Sequence, residues 1–291
     1  MSFLETELER LGFTPRRRWS RRGVVMTSLA SGFALSVRPV SAETITTDTQ
    51  GLTAGEVKVK VKDGEIPAYR AMPATGGPFP TVLVVCEIWG VHEHIKDLCR
   101  RLAKAGYFAI APELFARQGD PSKIPEVPEL IEKIVKKAPA DELMSDLDAT
   151  VAYAKSSDKA DTAKLAVTGS CWGGFVTWMY ATHNPQLKAA VSWYGSDRWF
   201  KEIAGKSATE IGAEVKCPVL ALYGGQDQSI PKETIEGREQ ACKAAGKTCE
   251  VKVYPDAPHG FLADYRPSYR ADDAKDGWAR MLAWFKAHGV G

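Results

Sequence analysis

A chain of 291 residues, 44% hydrophobic and 25% charged, has the make-up of one large soluble globular domain. Its 38 Lys and Arg against 36 Asp and Glu leave a net charge of only +2, which argues against a nucleic-acid surface. Beyond the first 42 residues no apolar run approaches the roughly 20 residues needed to span a bilayer.

Residues 1–42 read as a segment apart. "PRRRWSRRGVVMTSLASGFALSVRPVSA" places an arginine-rich front before an apolar stretch from Val24 to Val37 and ends on the small pair Ser41-Ala42, the layout of a cleavable export signal. "SRRGVVM", with Arg21 and Arg22 as the pair, resembles the twin-arginine signal of bacterial proteins exported already folded. The expectation is passage through the twin-arginine machinery to the periplasm, with no stable membrane anchor, and a mature single domain over residues 43–291. Cleavage removes seven Lys/Arg and three Asp/Glu, leaving the mature protein near −2. Of the six cysteines, Cys242 and Cys249 flank a connection short enough to be bridged, whereas Cys86, Cys99 and Cys217 read as buried thiols.

From the mature start, "EVKVKV" alternates charged and apolar residues and, across the Asp63-Gly64 turn, meets "IPAYRAMP", the pattern of a hairpin. Short apolar runs follow: "TVLVVCE", "YFAIAP", "KLAVTGS", "KAAVSWYG", "PVLALYGG" and "CEVKVYP". Runs of this kind are strands buried on both faces. Between them, helical patterns cover residues 93–105, 140–155, 171–183, 232–245 and 274–288, with Leu98 and Leu102, and Trp278, Leu282 and Phe285, at helical spacing. The proline-rich and charged stretch "PELFARQGDPSKIPEVPE" is expected to be a loop beside the site. Strand and helix alternation predicts an α/β fold, a mainly parallel doubly wound sheet flanked by helices, with its ligand beyond the carboxyl ends of the strands.

Chemistry collects at those ends. "GSCWGG" follows the run "LAVT" and precedes "FVTWMY", so Cys171 stands at the tip of a strained strand-to-helix turn, a nucleophile elbow. The small residues at 169, 173 and 174 allow the backbones to approach, and the helix amino terminus favours a thiolate. Asp227 in "GGQDQS" and His259 in "APHGF" come later, each after a strand. The order nucleophile, acid, base is that of the α/β-hydrolase fold. Asp256 and Asp264 are the rival acids, each either a solvated loop charge or a local partner; Asp227 is preferred because its position after a strand fits the fold. Glu87 closes a buried strand, where a carboxylate is costly unless paired or catalytic. The backbone amides of Ile88 and Trp172 are the expected oxyanion donors. His92 and His94 stay open, and His183 and His288 fall at helix ends, where imidazole meets the carbonyl dipole.

Taken together, "CEIWG", "PELFARQ", "GSCWGG", the Gly-Gly-x-Asp loop and "PHGF" resemble the dienelactone hydrolase family across nearly the whole mature chain. The resemblance implies an α/β-hydrolase that opens a lactone ring with the triad Cys171, His259 and Asp227. It also implies that Glu87 interacts with the thiol and helps its activation when substrate arrives, and that Arg117 binds a substrate carboxylate. The family's second arginine falls where this chain has Ala263; Arg266 either substitutes for it or makes a surface salt bridge. Trp89, Trp172, Trp193 and Tyr194 are either an aromatic wall around the substrate or core.

The reading is a small ester or lactone substrate, most simply a carboxylated dienelactone, cleaved through a cysteinyl acyl-enzyme without cofactor or metal. A broader carboxylesterase or thioesterase, and a non-catalytic ligand-binding member of the fold, are the alternatives.

Overall fold

The computed structural model describes residues 45–196 and 199–291, so the segment read as an export signal lies outside the described residues. Eight strands form one sheet in the order β1-β2-β4-β3-β5-β6-β7-β8. They are β1 (Leu52–Val61), β2 (Gly64–Pro73), β3 (Phe79–Val85), β4 (Phe108–Pro112), β5 (Ala160–Ser170), β6 (Ala189–Trp193), β7 (Val219–Gly224) and β8 (Cys249–Tyr254). The first two pair as the expected hairpin and join β4 antiparallel; every pairing from β4 to β8 is parallel. Burial explains the sequence pattern: β4, β6 and β7 are buried along their whole length, while β8 at the edge is buried only at its two ends.

Among the described residues seven α-helices flank the sheet: α1 (Glu93–Lys104), α2 (Val127–Lys133), α3 (Ala140–Lys155), α4 (Trp172–His183), α5 (Ala208–Glu214), α6 (Lys232–Ala244) and α7 (Ala271–Ala287). Leu98 and Leu102 of α1 line one small gap together with Trp278 and Met281 of α7, Val84 and Trp193. Contacts from α3 to α4, α4 to α5 and α5 to α6 build the other layer. Ten of the residues in α4, from Trp172 to Ala181, are buried in an unbroken run, so this helix is apolar all round and forms the centre of the core. None of the described helices is long and apolar enough to cross a membrane.

Two helices depart from the sequence reading. The expected loop after β4 contains α2, which opens with proline in its first turn, a position where the missing N–H costs nothing. Helix α5 carries a full capping box, with Ser207 accepting from the Glu210 amide and Glu210 accepting from the Ser207 amide. That Ser-x-x-Glu signature was legible in "KSATEI". Cys242 on α6 is bridged to Cys249 at the start of β8, with Cα atoms 6.2 Å apart. Cys86, Cys99 and Cys217 are buried free thiols, as expected.

Candidate active site

The sheet reverses its winding at β3, which pairs with β4 on one side and β5 on the other. A crevice forms at such a point beyond the strand ends. Glu87 follows β3, Cys171 follows β5, Tyr194 follows β6, Asp227 follows β7 and His259 lies in the loop after β8. Residues nearly two hundred positions apart thus share one edge.

Cys171 has φ 58° and ψ −118° and caps α4, a conformation that a residue with a side chain adopts only under restraint. The restraint is visible: its N–H donates to Trp193 O at 3.0 Å, and its carbonyl accepts from Gly174, Phe175 and Ser196 at 3.1, 3.2 and 3.3 Å. A Cβ at Gly173 would collide with the Val85 and Cys86 carbonyls, and one at Gly169 with the backbone of Gly173. The glycines of "GSCWGG" are therefore required by the closeness of β3 to the turn. Trp172 occupies the first position of α4, where a backbone N–H has no partner within its own helix.

His259 Nδ1 and Asp227 Oδ2 are 2.6 Å apart, with both side chains almost wholly buried. Asp227 is held by Ser229, whose N–H and Oγ–H donate to its other oxygen at 2.9 and 2.6 Å. This Asp-x-Ser turn was readable in the sequence but not singled out. Burial works against a charged imidazole, but Asp227 and then Cys171 outweigh it and push His259 up to about 10. Cys171 is among the groups that raise it, so the sulfur lies close enough to this imidazole to act on its charge. The rival acids are elsewhere. Asp256 is exposed, and Asp264 sits 3.3 Å from His94 and pairs with Arg101.

Glu87 makes its contacts with Arg266, Tyr265 and His92. Its Oε2 accepts from Arg266 at 2.8 Å and from the Tyr265 hydroxyl at 2.6 Å, with His92 Nε2 at 3.5 Å. Its Oε1 is buried without a hydrogen-bond partner among the described residues. Burial alone would raise this carboxyl, yet Arg266 and His92 outweigh it and hold it well below the usual carboxylate range. The fixed guanidinium, with no exposed surface, draws the carboxylate away from Cys171. Arg266 is thus no surface salt bridge. Tyr265 and Arg266 were missed as partners of Glu87 because nothing local in "DYRPSY" points to a residue 179 positions earlier.

The geometry also corrects the reading of Arg117. Its guanidinium is held by Asp146 at 2.6 Å and by Asp63 of the β1–β2 turn at 2.5 Å, with Glu142 at 3.7 Å. Three carboxylates already neutralise it, and none belongs to the triad. Ala263, at the position where a second arginine was sought, is fully buried. Trp172 is core, packed on Phe115 with ring centroids 4.4 Å apart, and Trp193 packs on Phe261 at 5.9 Å. Trp89 is half-buried, and Ile88 wholly buried, in the turn after Glu87. His183 pairs with Asp148 at 2.7 Å, and His288 packs against Trp284.

The sequence profile of the dienelactone hydrolase family matches residues 66–289. The chain belongs to the dienelactone hydrolase family. It is 60% identical over 275 residues to a provisionally named carboxymethylenebutenolidase of Methylorubrum extorquens, covering 93% of this chain and 94% of that protein. A counterpart from Escherichia coli K12, with the same provisional name, is 48% identical over 265 residues, 90% and 97% of the two chains. Among solved structures, a provisionally named dienelactone hydrolase from Klebsiella pneumoniae superimposes with a TM-score of 0.77 at 49% identity, covering 81% of this chain and 98% of that one. These relationships mark this dienelactone hydrolase family member as a carboxylic ester hydrolase with an α/β-hydrolase fold.

Proposed function

We propose that the protein hydrolyses a small ester or lactone through a Cys171–His259–Asp227 triad and a cysteinyl acyl-enzyme. The observation that carries this reading is the 2.6 Å contact between Asp227 and the buried His259 imidazole, which Cys171 is near enough to influence. His259 takes the thiol proton, and Cys171 Sγ bonds to the carbonyl carbon. The carbonyl electron pair moves onto oxygen, where the amides of Ile88 and Trp172 donate to it. When the pair returns, the carbon–oxygen bond of the leaving group breaks, and His259 passes its proton to that oxygen. Water then gives a proton to His259 and bonds to the thioester carbon; the carbon–sulfur bond breaks and the thiol recovers the proton. Asp227 keeps the ring oriented and stabilises its positive charge.

For the substrate, a carboxylated lactone resembling dienelactone fits the family and the polar cluster of Glu87, Tyr265 and Arg266 beside the thiol. Arg266, whose carboxylate partner is Glu87 of the same cluster, is the cation proposed to meet a substrate carboxylate, with Trp89 lining the approach. Export rests on the "SRRGVVM" segment and is consistent with the Cys242–Cys249 bridge, since disulfides persist in oxidising compartments. Fractionation of expressing cells should recover a periplasmic protein lacking about its first 42 residues; a cytoplasmic, full-length protein rejects export.

Rapid mixing with p-nitrophenyl acetate tests the covalent step. A burst equal to the enzyme concentration, absent from Cys171→Ala, is expected; a wild type without a burst overturns the proposal. Comparing a carboxylated lactone with a neutral ester of similar size tests the substrate class. Preference for the anion that survives Arg117→Ala is expected, and equal turnover of both substrates rejects it.

A further inference from the structure

Among the described residues only two other than glycine have a left-handed backbone: Cys171 and Tyr194, the latter at φ 38°. The first is the nucleophile of the proposed mechanism. The second is strained without an evident reason in packing, since glycine would relieve the backbone and many residues could end a strand. The two turns are bound to each other. Cys171 N–H donates to Trp193 O at 3.0 Å, Ser196 N–H donates to Cys171 O at 3.3 Å, and Tyr194 N–H is fixed on Leu222 O at 2.7 Å.

This clamp directs the Tyr194 side chain under the catalytic imidazole. Its ring lies edge-on to His259, with centroids 5.0 Å apart, and against Phe261 at 5.3 Å. The residue is fully buried, and its hydroxyl has no hydrogen-bond partner among the described residues. Phenylalanine would make the same ring contacts without leaving a buried donor unmatched, so the packing does not account for the oxygen. The charges that reach the phenol are those of Glu87, Arg266, Tyr265 and Cys171. Neither Glu87 nor Cys171 accepts its hydrogen bond, although both lie in its surroundings. Burial, followed by the Glu87 charge, raises the phenol well above its ordinary value, so it keeps its proton and acts as a donor.

We infer that Tyr194 is a further catalytic residue, whose O–H donates a hydrogen bond to the acyl oxygen that becomes negative as Cys171 attacks. The inference rests on the covalent role proposed for Cys171. No proton changes owner: the sulfur–carbon bond forms, the carbonyl electron pair moves to oxygen, and the phenol stabilises that charge alongside the backbone donors. A donor buried, fixed by a strained backbone and unmatched in the resting site is already organised for a charge that exists only during reaction.

The test is Tyr194→Phe, which removes one unbonded oxygen and keeps the ring. In rapid mixing with p-nitrophenyl acetate, the acylation rate constant should fall about 10- to 100-fold, with burst amplitude still one per enzyme. Alkylation of Cys171 by iodoacetamide involves no acyl oxygen and should proceed at the wild-type rate, which also reports an intact site. An unchanged acylation rate overturns the assignment. So does a parallel loss of alkylation, which places the hydroxyl's effect on the thiol or on the fold. A wild type that shows no burst instead rejects the covalent reading of Cys171, and the role of Tyr194 with it.

Discussion

Two buried histidine–aspartate pairs lie at this edge of the sheet, and only one faces a nucleophile. His259 and Asp227 are 2.6 Å apart, and the second oxygen of Asp227 takes only the uncharged donors of Ser229. His94 and Asp264 are 3.3 Å apart, but Arg101 also holds Asp264, and Arg101 in turn bonds Asp97 of its own helix at 2.5 Å. The charge of Asp264 is therefore neutralised by a guanidinium, while that of Asp227 falls on an imidazole. His94 packs against Tyr265 and His92, with centroids 5.2 and 6.1 Å away. On the proposed mechanism the same residue types build a proton relay in one place and a structural brace in the other. What differs is the third partner.

The largest effect expected from breaking this comparison is on turnover. Asp227→Asn should lower kcat by on the order of a thousandfold or more, because an amide cannot stabilise the imidazolium. Asp264→Asn should change kcat by less than about tenfold. Steady-state hydrolysis of one ester by both variants checks this, and equal losses would erase the distinction between the pairs.

A second contrast concerns the two arginines read from the sequence. Arg266→Ala should destabilise the fold by about 3–5 kcal/mol, because it leaves Glu87 buried and uncompensated. Arg117→Ala, at a partly exposed site, should cost less; denaturant titrations give both values. The Glu87 carboxyl is depressed in the fold, so its stabilising contribution is full above its ordinary 4.5 and drains away as pH falls. Arg266→Ala should lose that acid-sensitive part of the stability curve.

The histidines sharpen the comparison through their titration. His259 is raised above its ordinary 6.5, so its contribution to stability is fully present below that pH and is lost as pH climbs towards about 10. In Asp227→Asn, burial remains while the largest opposing charge is gone, and the His259 NMR titration should shift strongly downward. A titration that stays near 10 would show that Cys171 alone supports the charge.

The smallest effect is expected at the bridge that fastens the His259 side of the sheet. Cys242→Ala should cost about 2.5 kcal/mol, from the loop entropy of so short a ring, with kcat unchanged. Thermal unfolding and ester hydrolysis measured together check it; a fall in kcat would tie the bridge to the triad.

Much of this was legible beforehand because its signals are local. The apolar runs gave six strands after the hairpin, since a strand buried on both faces can carry little else. "GSCWGG" revealed the elbow because only small residues let α4 start so near β3. Helix α2 was hidden by prolines that break most helices but suit a first turn. The partners of Arg117 and Arg266 were hidden for a different reason: a guanidinium takes whichever carboxylate the fold presents, and Asp63, Asp146 and Glu87 arrive from distant segments.

By itself the sequence determined the alternation of strand and helix, the strained turn at Cys171, and the order in which thiol, carboxylate and imidazole follow one another. Periodicity and turn chemistry act over a few residues, so they are written in the chain. Tertiary structure alone decided that Asp264 sits beside His94, that Glu87 rests on Arg266, and that the Tyr194 hydroxyl lies buried without a partner among the described residues. Those outcomes depend on which groups meet when β3, β5, β6, β7 and β8 are brought side by side, and pairing energies between such groups are set by distance and burial.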